Sequence, residues 1–160
     1  MLPGGTKGIG ALIALVAVLV LRLLSGGPDE QKQYDHRMFQ VVYVVDGDTL
    51  DINAADAVTG KATTRIRLWG VDTPETAQSP GGAAYYGEQA KVFARELAEG
   101  KTVRIELEPY KSPRDKYQRL LAYVFFEDDR MLNEMLIAQG LGYADERFDH
   151  IYKARFIELG

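Results

Sequence analysis

The chain has 160 residues, no cysteine, two histidines and a net charge of −4 at neutral pH. This length is enough for one domain with a hydrophobic core and a short additional segment. The lack of cysteine excludes disulfides, thiolate metal sites and a cysteine nucleophile, and two histidines exclude a histidine-rich metal site. The acidic balance argues against a generally basic nucleic-acid coat protein, but it permits a local phosphate site built from a few arginines.

The first part of the chain is an apolar segment that precedes the folded domain. Residues 8–24 are apolar except for Arg22. The run is at the short end for a bilayer span, which needs about 20 residues, and it fits either a cleaved signal peptide or a retained anchor. We expect residues 1–24 to be a signal peptide or signal-anchor helix, so the protein is exported and either secreted or held at a membrane. A polar linker at 25–37 then leads to a domain over 38–160.

After residue 38 the apolar periodicity predicts a small barrel with helices. Alternating β-branched runs predict five strands, which cover 38–46, 48–54, 63–71, 102–109 and 120–128. Apolar residues at helical spacing predict helices over 85–100 and 130–140, with the tail 146–160 as a third. Three strands, a helix, two strands and a helix are the order of a five-stranded OB-fold Greek-key barrel, an α+β architecture.

Two loops carry carboxylates in arrangements that suit a cation. They read DGDT at 46–49 and VDTPE at 71–75. Pro74 has a fixed φ and restricts Thr73 to an extended conformation, so the bend aims the Thr73 carbonyl and the flanking carboxylates in set directions. Two aspartates from neighbouring loops and one backbone carbonyl form an oxygen-only site for a hard cation. Either loop alone is more often an ordinary turn.

Basic residues lie near both loops and complete a possible phosphate site. Arg67 is on the strand that leads into VDTPE, and Arg119 stands at the entry of the fifth strand, after a basic stretch that begins at Lys111. An exposed strand arginine or a basic loop is usually only a solvated surface. Together, however, a cation, two guanidiniums and a carboxylate that activates water are what phosphodiester hydrolysis requires.

Five segments in this order resemble the staphylococcal nuclease (thermonuclease) family over about residues 40–155. They are DGDT, RLWGVDTPET, YYGEQA, DKYQRLLAYVF and LNEMLIAQGLG. The resemblance implies an OB-fold barrel and calcium-dependent hydrolysis of DNA and RNA to 3′-phosphate ends. It also implies Ca²⁺ as the cofactor, nucleic acids as the partners and a monomer as the working unit.

The same resemblance assigns the metal ligands and the base. Asp48 and Asp72 are implied to ligate Ca²⁺ together with the backbone carbonyl of Thr73, while Asp46 is implied to lie near the ion. Glu75 is implied to be the general base, or the residue that orients the attacking water.

The resemblance also assigns the residues that bind phosphate. Arg67 and Arg119 are implied to bind the scissile phosphate and to stabilise its transition state. Arg67 is preferred to Arg65 because it stands five residues before the aspartate of the motif, as the family pattern requires. Lys116 and Tyr117 are implied to contact a terminal phosphate of a bound nucleotide.

Three features depart from the family pattern. The chain is acidic where relatives are basic, Gln118 replaces a frequent glycine, and the sequence stops at Gly160 where relatives continue a basic helix. All the implied metal, base and arginine positions are nevertheless present, which favours an enzyme. The alternatives are a catalytically silent OB-fold module that binds single-stranded nucleic acid or a protein partner, and a metal-dependent phosphoesterase that acts on small substrates.

Overall fold

The structure is a computed structural model that describes residues 29–74, 86–109 and 112–160. The predicted leader over 1–24 and the predicted base Glu75 lie outside the described residues. The described helices are α1 (Glu30–Tyr34), α2 (Gly87–Ala98), α3 (Leu132–Ala138) and α4 (Lys153–Leu159). The described strands are β1 (Arg37–Asp46), β2 (Thr49–Ile52), β3 (Thr64–Leu68), β4 (Val71–Asp72), β5 (Thr102–Leu107), β6 (Leu120–Phe125) and β7 (Tyr143–Ala144).

Five strands close into a barrel in the order β1-β2-β3-β6-β5, which confirms the predicted OB-fold architecture. All neighbouring strands are antiparallel except β3 and β6, which run parallel and place Arg67 opposite Leu121. The period-two pattern of β3 buries Ile66 and Leu68 in the barrel, so Arg67 faces outward. The sheet therefore holds Arg67 close to Arg119, which directly precedes β6.

The turn between β1 and β2 packs tightly under the rest of the site. Asp46 pairs with Thr49, which leaves Gly47 and Asp48 as the turn residues. A Cβ atom on Gly47 would lie 2.8 Å from both the Ala90 Cβ and the Thr73 Oγ1. Only glycine therefore allows α2 and the segment after β4 to approach this turn closely.

The predicted third strand over 63–71 is divided in the structure. It ends at Leu68, and Gly70 turns the chain with a φ of +76°. Val71 and Asp72 then form β4, which pairs with β7 in a separate two-stranded sheet. Because of this turn, Asp72 leaves the barrel wall and lies above it.

Residues 30–37, which the sequence suggested as part of a linker, belong to the folded domain. The side chain of Asp29 accepts a hydrogen bond from the Lys32 amide and caps α1. Tyr34 is fully buried, and its hydroxyl is 2.9 Å from the Thr64 hydroxyl. The carboxylate of Asp35 accepts from the Leu107 amide at 2.8 Å, which fixes the entry into β1.

The hydrophobic core fills the barrel and continues beneath the helices. The alanine face of α2 packs on β1, and Phe156 on α4 is fully buried. No helix within 29–74, 86–109 or 112–160 is long and apolar enough to cross a membrane.

Candidate active site

Arg67 is the central residue of the site and is held by several acceptors. Its Nη2 donates to Asp72 Oδ1 at 2.6 Å, and its Nη1 lies 2.9 Å from Asp48 Oδ2. Nη1 also donates to the backbone carbonyls of Val71 at 2.8 Å and Leu68 at 3.2 Å. These acceptors come from three segments of the chain, so the guanidinium has a fixed orientation. Only 14% of the side chain is exposed.

Asp48 ties the β1–β2 turn to the segment after β4. Its Oδ2 accepts from both the amide and the hydroxyl of Thr73 at 3.0 Å, and its Oδ1 accepts from the Thr49 hydroxyl at 2.9 Å. The carboxylate is buried at 7% exposure, so these donors stabilise a charge that water barely reaches. The two predicted aspartates thus meet at one guanidinium, although they come from loops 24 residues apart.

Asp72 has a second set of partners that the sequence did not indicate. Its Oδ2 accepts from the Tyr143 hydroxyl at 3.2 Å and from Arg147 Nη2 at 3.3 Å. Arg147 is held in turn by Asp145, whose oxygens accept from Nε at 2.7 Å and from Nη2 at 2.8 Å. The Arg147 guanidinium holds the pKa of the Asp145 carboxyl below its usual range. No sequence pattern distinguishes Arg147 from an arginine in a solvated tail.

The loop before β6, residues 112–119, is organised by Asp115. One carboxylate oxygen accepts from the amides of Tyr117 and Arg119 at 2.9 Å, and the other accepts from Arg119 Nε at 2.6 Å. Gln118, the departure noted in the sequence, has a φ of +65°, a conformation in which glycine is unstrained. The loop therefore keeps its shape without glycine because Asp115 binds it from within.

Arg114 anchors this loop to the body of the domain. Its side chain is 7% exposed, its Nε donates to Glu30 at 2.6 Å, and its Nη1 donates to Asp56 at 2.8 Å. Nη1 also donates to the carbonyl of Gln118 at 2.7 Å. Burial raises the pKa of Asp56, but the hydrogen bond from Arg114 and those from the turn amides outweigh it, so the pKa is lowered overall.

A pocket of about 510 Å³ lies between these groups. Its lining residues are Arg67, Trp69, Arg114, Asp115, Lys116, Tyr117, Arg119, Leu121, Asp145, Arg147 and Phe148. Tyr117 is 67% exposed, and its ring centroid is 4.9 Å from Lys116 Nζ and 5.4 Å from the Arg119 guanidinium carbon. All four predicted phosphate-binding residues thus line one pocket.

The acidic residues have the chemistry of a hard-cation site. Asp48 and Asp72 offer carboxylate oxygens, which Ca²⁺ and Mg²⁺ prefer. In the described part of the chain, no three carboxylate or histidine side chains form a cluster that could hold a metal ion. Arg67 bridges the two carboxylates, and Asp46 Oδ1 accepts from the Gly47 amide at 2.9 Å. The donor types therefore fit a hard cation, and Arg67 pairs with both carboxylates.

Comparison with known proteins decides the family. A family profile described as "Staphylococcal nuclease homologue" matches residues 65–157, more than half of the chain. The chain belongs to the staphylococcal nuclease family. Its similarity to the thermonuclease of Staphylococcus intermedius is 35% identity over 142 residues, which covers 87% of this chain and 80% of that protein. The thermonuclease of Staphylococcus hyicus is 32% identical over 143 residues with the same coverage.

The chain is also similar to a protein that is not named a thermonuclease. An uncharacterized endonuclease of Escherichia coli O157:H7 is 29% identical over 110 residues, covering 69% of this chain and 62% of that protein. Membership in the staphylococcal nuclease family confirms the resemblance identified from the sequence motifs.

Proposed function

We propose that this protein is a nuclease that hydrolyses the phosphodiester bonds of DNA and RNA in the Arg67–Arg119 pocket. The observation that carries the proposal is that both arginines line one pocket, and that Arg67 in its wall is paired with both Asp48 and Asp72. Two fixed guanidiniums beside a carboxylate pair can bind a phosphate and stabilise the charge that develops on its oxygens. The names of the relatives support the same reaction class.

We further propose that the reaction depends on Ca²⁺ and leaves 3′-phosphate ends. Asp48, Asp72 and the Thr73 carbonyl would hold the ion, with Asp46 nearby, and the bound ion would act as a Lewis acid that neutralises phosphate charge. Glu75 follows the rigid Thr73–Pro74 bend and is the candidate for the base that positions the attacking water.

The phosphate-binding residues have distinct tasks in this proposal. Arg67 is immobilised by its acceptors and stabilises the charge on the phosphate from the side of the carboxylates. Arg119 donates hydrogen bonds from its backbone amide and Nε, whereas its two Nη groups make none within the described residues and can form a bidentate contact with phosphate. Lys116 and Tyr117, at the exposed rim, would receive a terminal phosphate.

The cellular location is proposed from the sequence alone. Residues 1–24 would act as a signal peptide or membrane anchor, so the nuclease would work outside the cytoplasm as a monomer. Cleavage of the leader can be tested by N-terminal sequencing of the protein made in its own cell.

The proposed activity is tested with the full-length chain on plasmid DNA and on RNA, in Ca²⁺ and in EGTA. We expect cleavage in Ca²⁺, none in EGTA, and a loss of at least about 10²-fold for Glu75→Ser, Arg67→Ala and Arg119→Ala. Arg130→Gln is the control, because Arg130 pairs with Asp128 and lies over the Phe126 ring, and it does not line the pocket.

Product ends and binding separate the alternatives. Fragments with 3′-phosphates cannot be extended by a polymerase until a phosphatase removes the phosphate. Cleavage that persists in EGTA would refute calcium dependence, and binding of nucleic acid without any cleavage would refute the nuclease in favour of a silent OB-fold module.

A further inference from the structure

Arg147 is a cation of the pocket to which neither the sequence nor the family motif assigns a role. It lies between β7 and α4, and its side chain is 67% exposed. It nevertheless lines the same pocket as Arg67 and Arg119, and its Nη2 reaches Asp72 at 3.3 Å. The pocket therefore contains an arginine from a third, distant segment of the chain.

The local geometry of Arg147 resembles that of an ordinary surface pair, which provides a comparison within the same molecule. Arg130 and Arg147 each follow an aspartate by two residues, and each donates both its backbone amide and its Nε to that aspartate. The side chains are similarly exposed, at 56% for Arg130 and 67% for Arg147. The difference is that Arg147 adds a second carboxylate, that of Asp72, and faces the pocket.

The way in which Arg147 is held leaves one part of its guanidinium for a ligand. Asp145 occupies Nε and Nη2, and Asp72 shares Nη2 at a longer distance. Nη1 makes no hydrogen bond within the described residues. A guanidinium fixed along one edge by a carboxylate can present its remaining donors to a phosphate with little loss of side-chain freedom on binding.

The charge of the Asp72 carboxylate is already compensated by Arg67. Its Oδ1 is bound by Arg67 at 2.6 Å, so the contact between Oδ2 and Arg147 at 3.3 Å is the weaker of the two ion pairs. Arg147 can therefore exchange this contact for a phosphate oxygen while it remains attached to Asp145. A protein with a net charge of −4 depends on such local cations to bind a polyanion.

We propose that Arg147 binds a second backbone phosphate of the nucleic acid strand, next to the phosphate held by Arg67 and Arg119. Its role is to position the substrate, and it takes no part in the bond that breaks. The inference rests on the proposed function in one respect, namely that the strand bound in the pocket is the substrate. Binding can be measured without catalysis, so the two proposals can fail separately.

Binding is measured with the full-length chain in EGTA, using a fluorescein-labelled oligothymidylate of eight nucleotides across a series of salt concentrations. We expect Arg147→Gln to weaken binding about 5- to 10-fold and to lower the slope of log K against log salt by about 0.7, the value for one phosphate contact on a single strand. Arg147→Lys should keep the slope because it keeps the charge. Arg130→Gln is the matched control and should leave both quantities unchanged.

The second measurement is of kcat and KM in Ca²⁺. Loss of a contact that is equally strong in the ground state and the transition state raises KM and leaves kcat within about 2-fold. An unchanged slope and KM for Arg147→Gln would overturn the inference, as would a fall in kcat at constant KM, which would mean that Arg147 acts through Asp72. If the wild-type chain does not bind the oligonucleotide, the inference about Arg147 is wrong, and the cleavage assay in Ca²⁺ decides the nuclease by itself. If it binds without cleaving, only the nuclease is wrong, and the slope still decides the role of Arg147.

Discussion

Replacement of Asp115 by asparagine should loosen the Arg119 side chain and lower activity, while the loop stays folded. Asparagine keeps the oxygen that accepts from the amides of Tyr117 and Arg119, but its amide nitrogen cannot accept from Arg119 Nε, which now donates at 2.6 Å. The side chains of the pair are 29% and 15% exposed. Exposed pairs contribute about 0.2–1 kcal/mol, whereas hydrogen bonds to charged groups contribute about 1.5–3 kcal/mol. The partly buried pair of Asp115 and Arg119 should therefore contribute about 1.4 kcal/mol to holding the arginine in place. Its loss should lower kcat/KM about 10-fold.

A double-mutant cycle in the plasmid or oligonucleotide assay measures this value. We expect Asp115→Asn to lose about 10-fold and Arg119→Ala to lose about 10²-fold or more. The double variant should match Arg119→Ala, because the acceptor that asparagine lacks contacts only the Arg119 Nε among the described residues. Asp128→Asn is the matched control, since Asp128 accepts from Arg130 Nε at 2.7 Å away from the pocket. Additive losses in the double variant, or full activity of Asp115→Asn, would refute this reasoning.

Two further predictions concern stability. Gly70→Ala should lower the free energy of unfolding in urea by about 3 kcal/mol, because φ is +76° and the new Cβ would lie 2.5 Å from the His150 ring. Gly140→Ala, with φ at +67° and open space around it, should cost only about 1 kcal/mol, and equal losses at the two sites would contradict the role of the ring. Burial and the hydrogen bond to Glu106 raise the pKa of Tyr152 to about 12. A tyrosine in the unfolded chain ionises near pH 10. The contribution of Tyr152 to the free energy of unfolding is therefore complete below about pH 10 and is lost as the pH rises towards 12. Tyr152→Phe should flatten the fall of unfolding free energy over that interval, and an unchanged fall would count against the raised pKa.

The barrel and the paired aspartates were predictable because they depend on local chemistry. Alternation of apolar and polar residues set the strands, and Asp46–Gly47 indicated the tight turn that places Asp48. The rigid bend at Pro74 indicated that the Asp72 carboxylate would be aimed in a set direction. These signals lie within a few residues of the features that they predict.

The features that the sequence did not indicate depend on contacts between distant segments. Helix α1 has only five residues, too few for a periodic signal, and Tyr34 is buried through contacts with distant residues such as Thr64. The break at Gly70 interrupts a run that reads as one strand, because β4 pairs instead with β7. Arg147 reaches the site through that same pairing, 75 residues away from Asp72 along the chain.

The ion pairs of Arg114 have a consequence for where the working enzyme begins. The guanidinium is 7% exposed and is shared by Glu30, ahead of the first barrel strand, and Asp56. A fragment cut at the start of the barrel would keep every residue assigned to chemistry, yet it would leave a buried cation with half of its counter-charge removed, a costly state. The loop that presents Arg119 would then lose one of the two carboxylates that hold its anchor, Arg114. We therefore expect the shortest active fragment to include Glu30 and so to begin several residues before the first barrel strand.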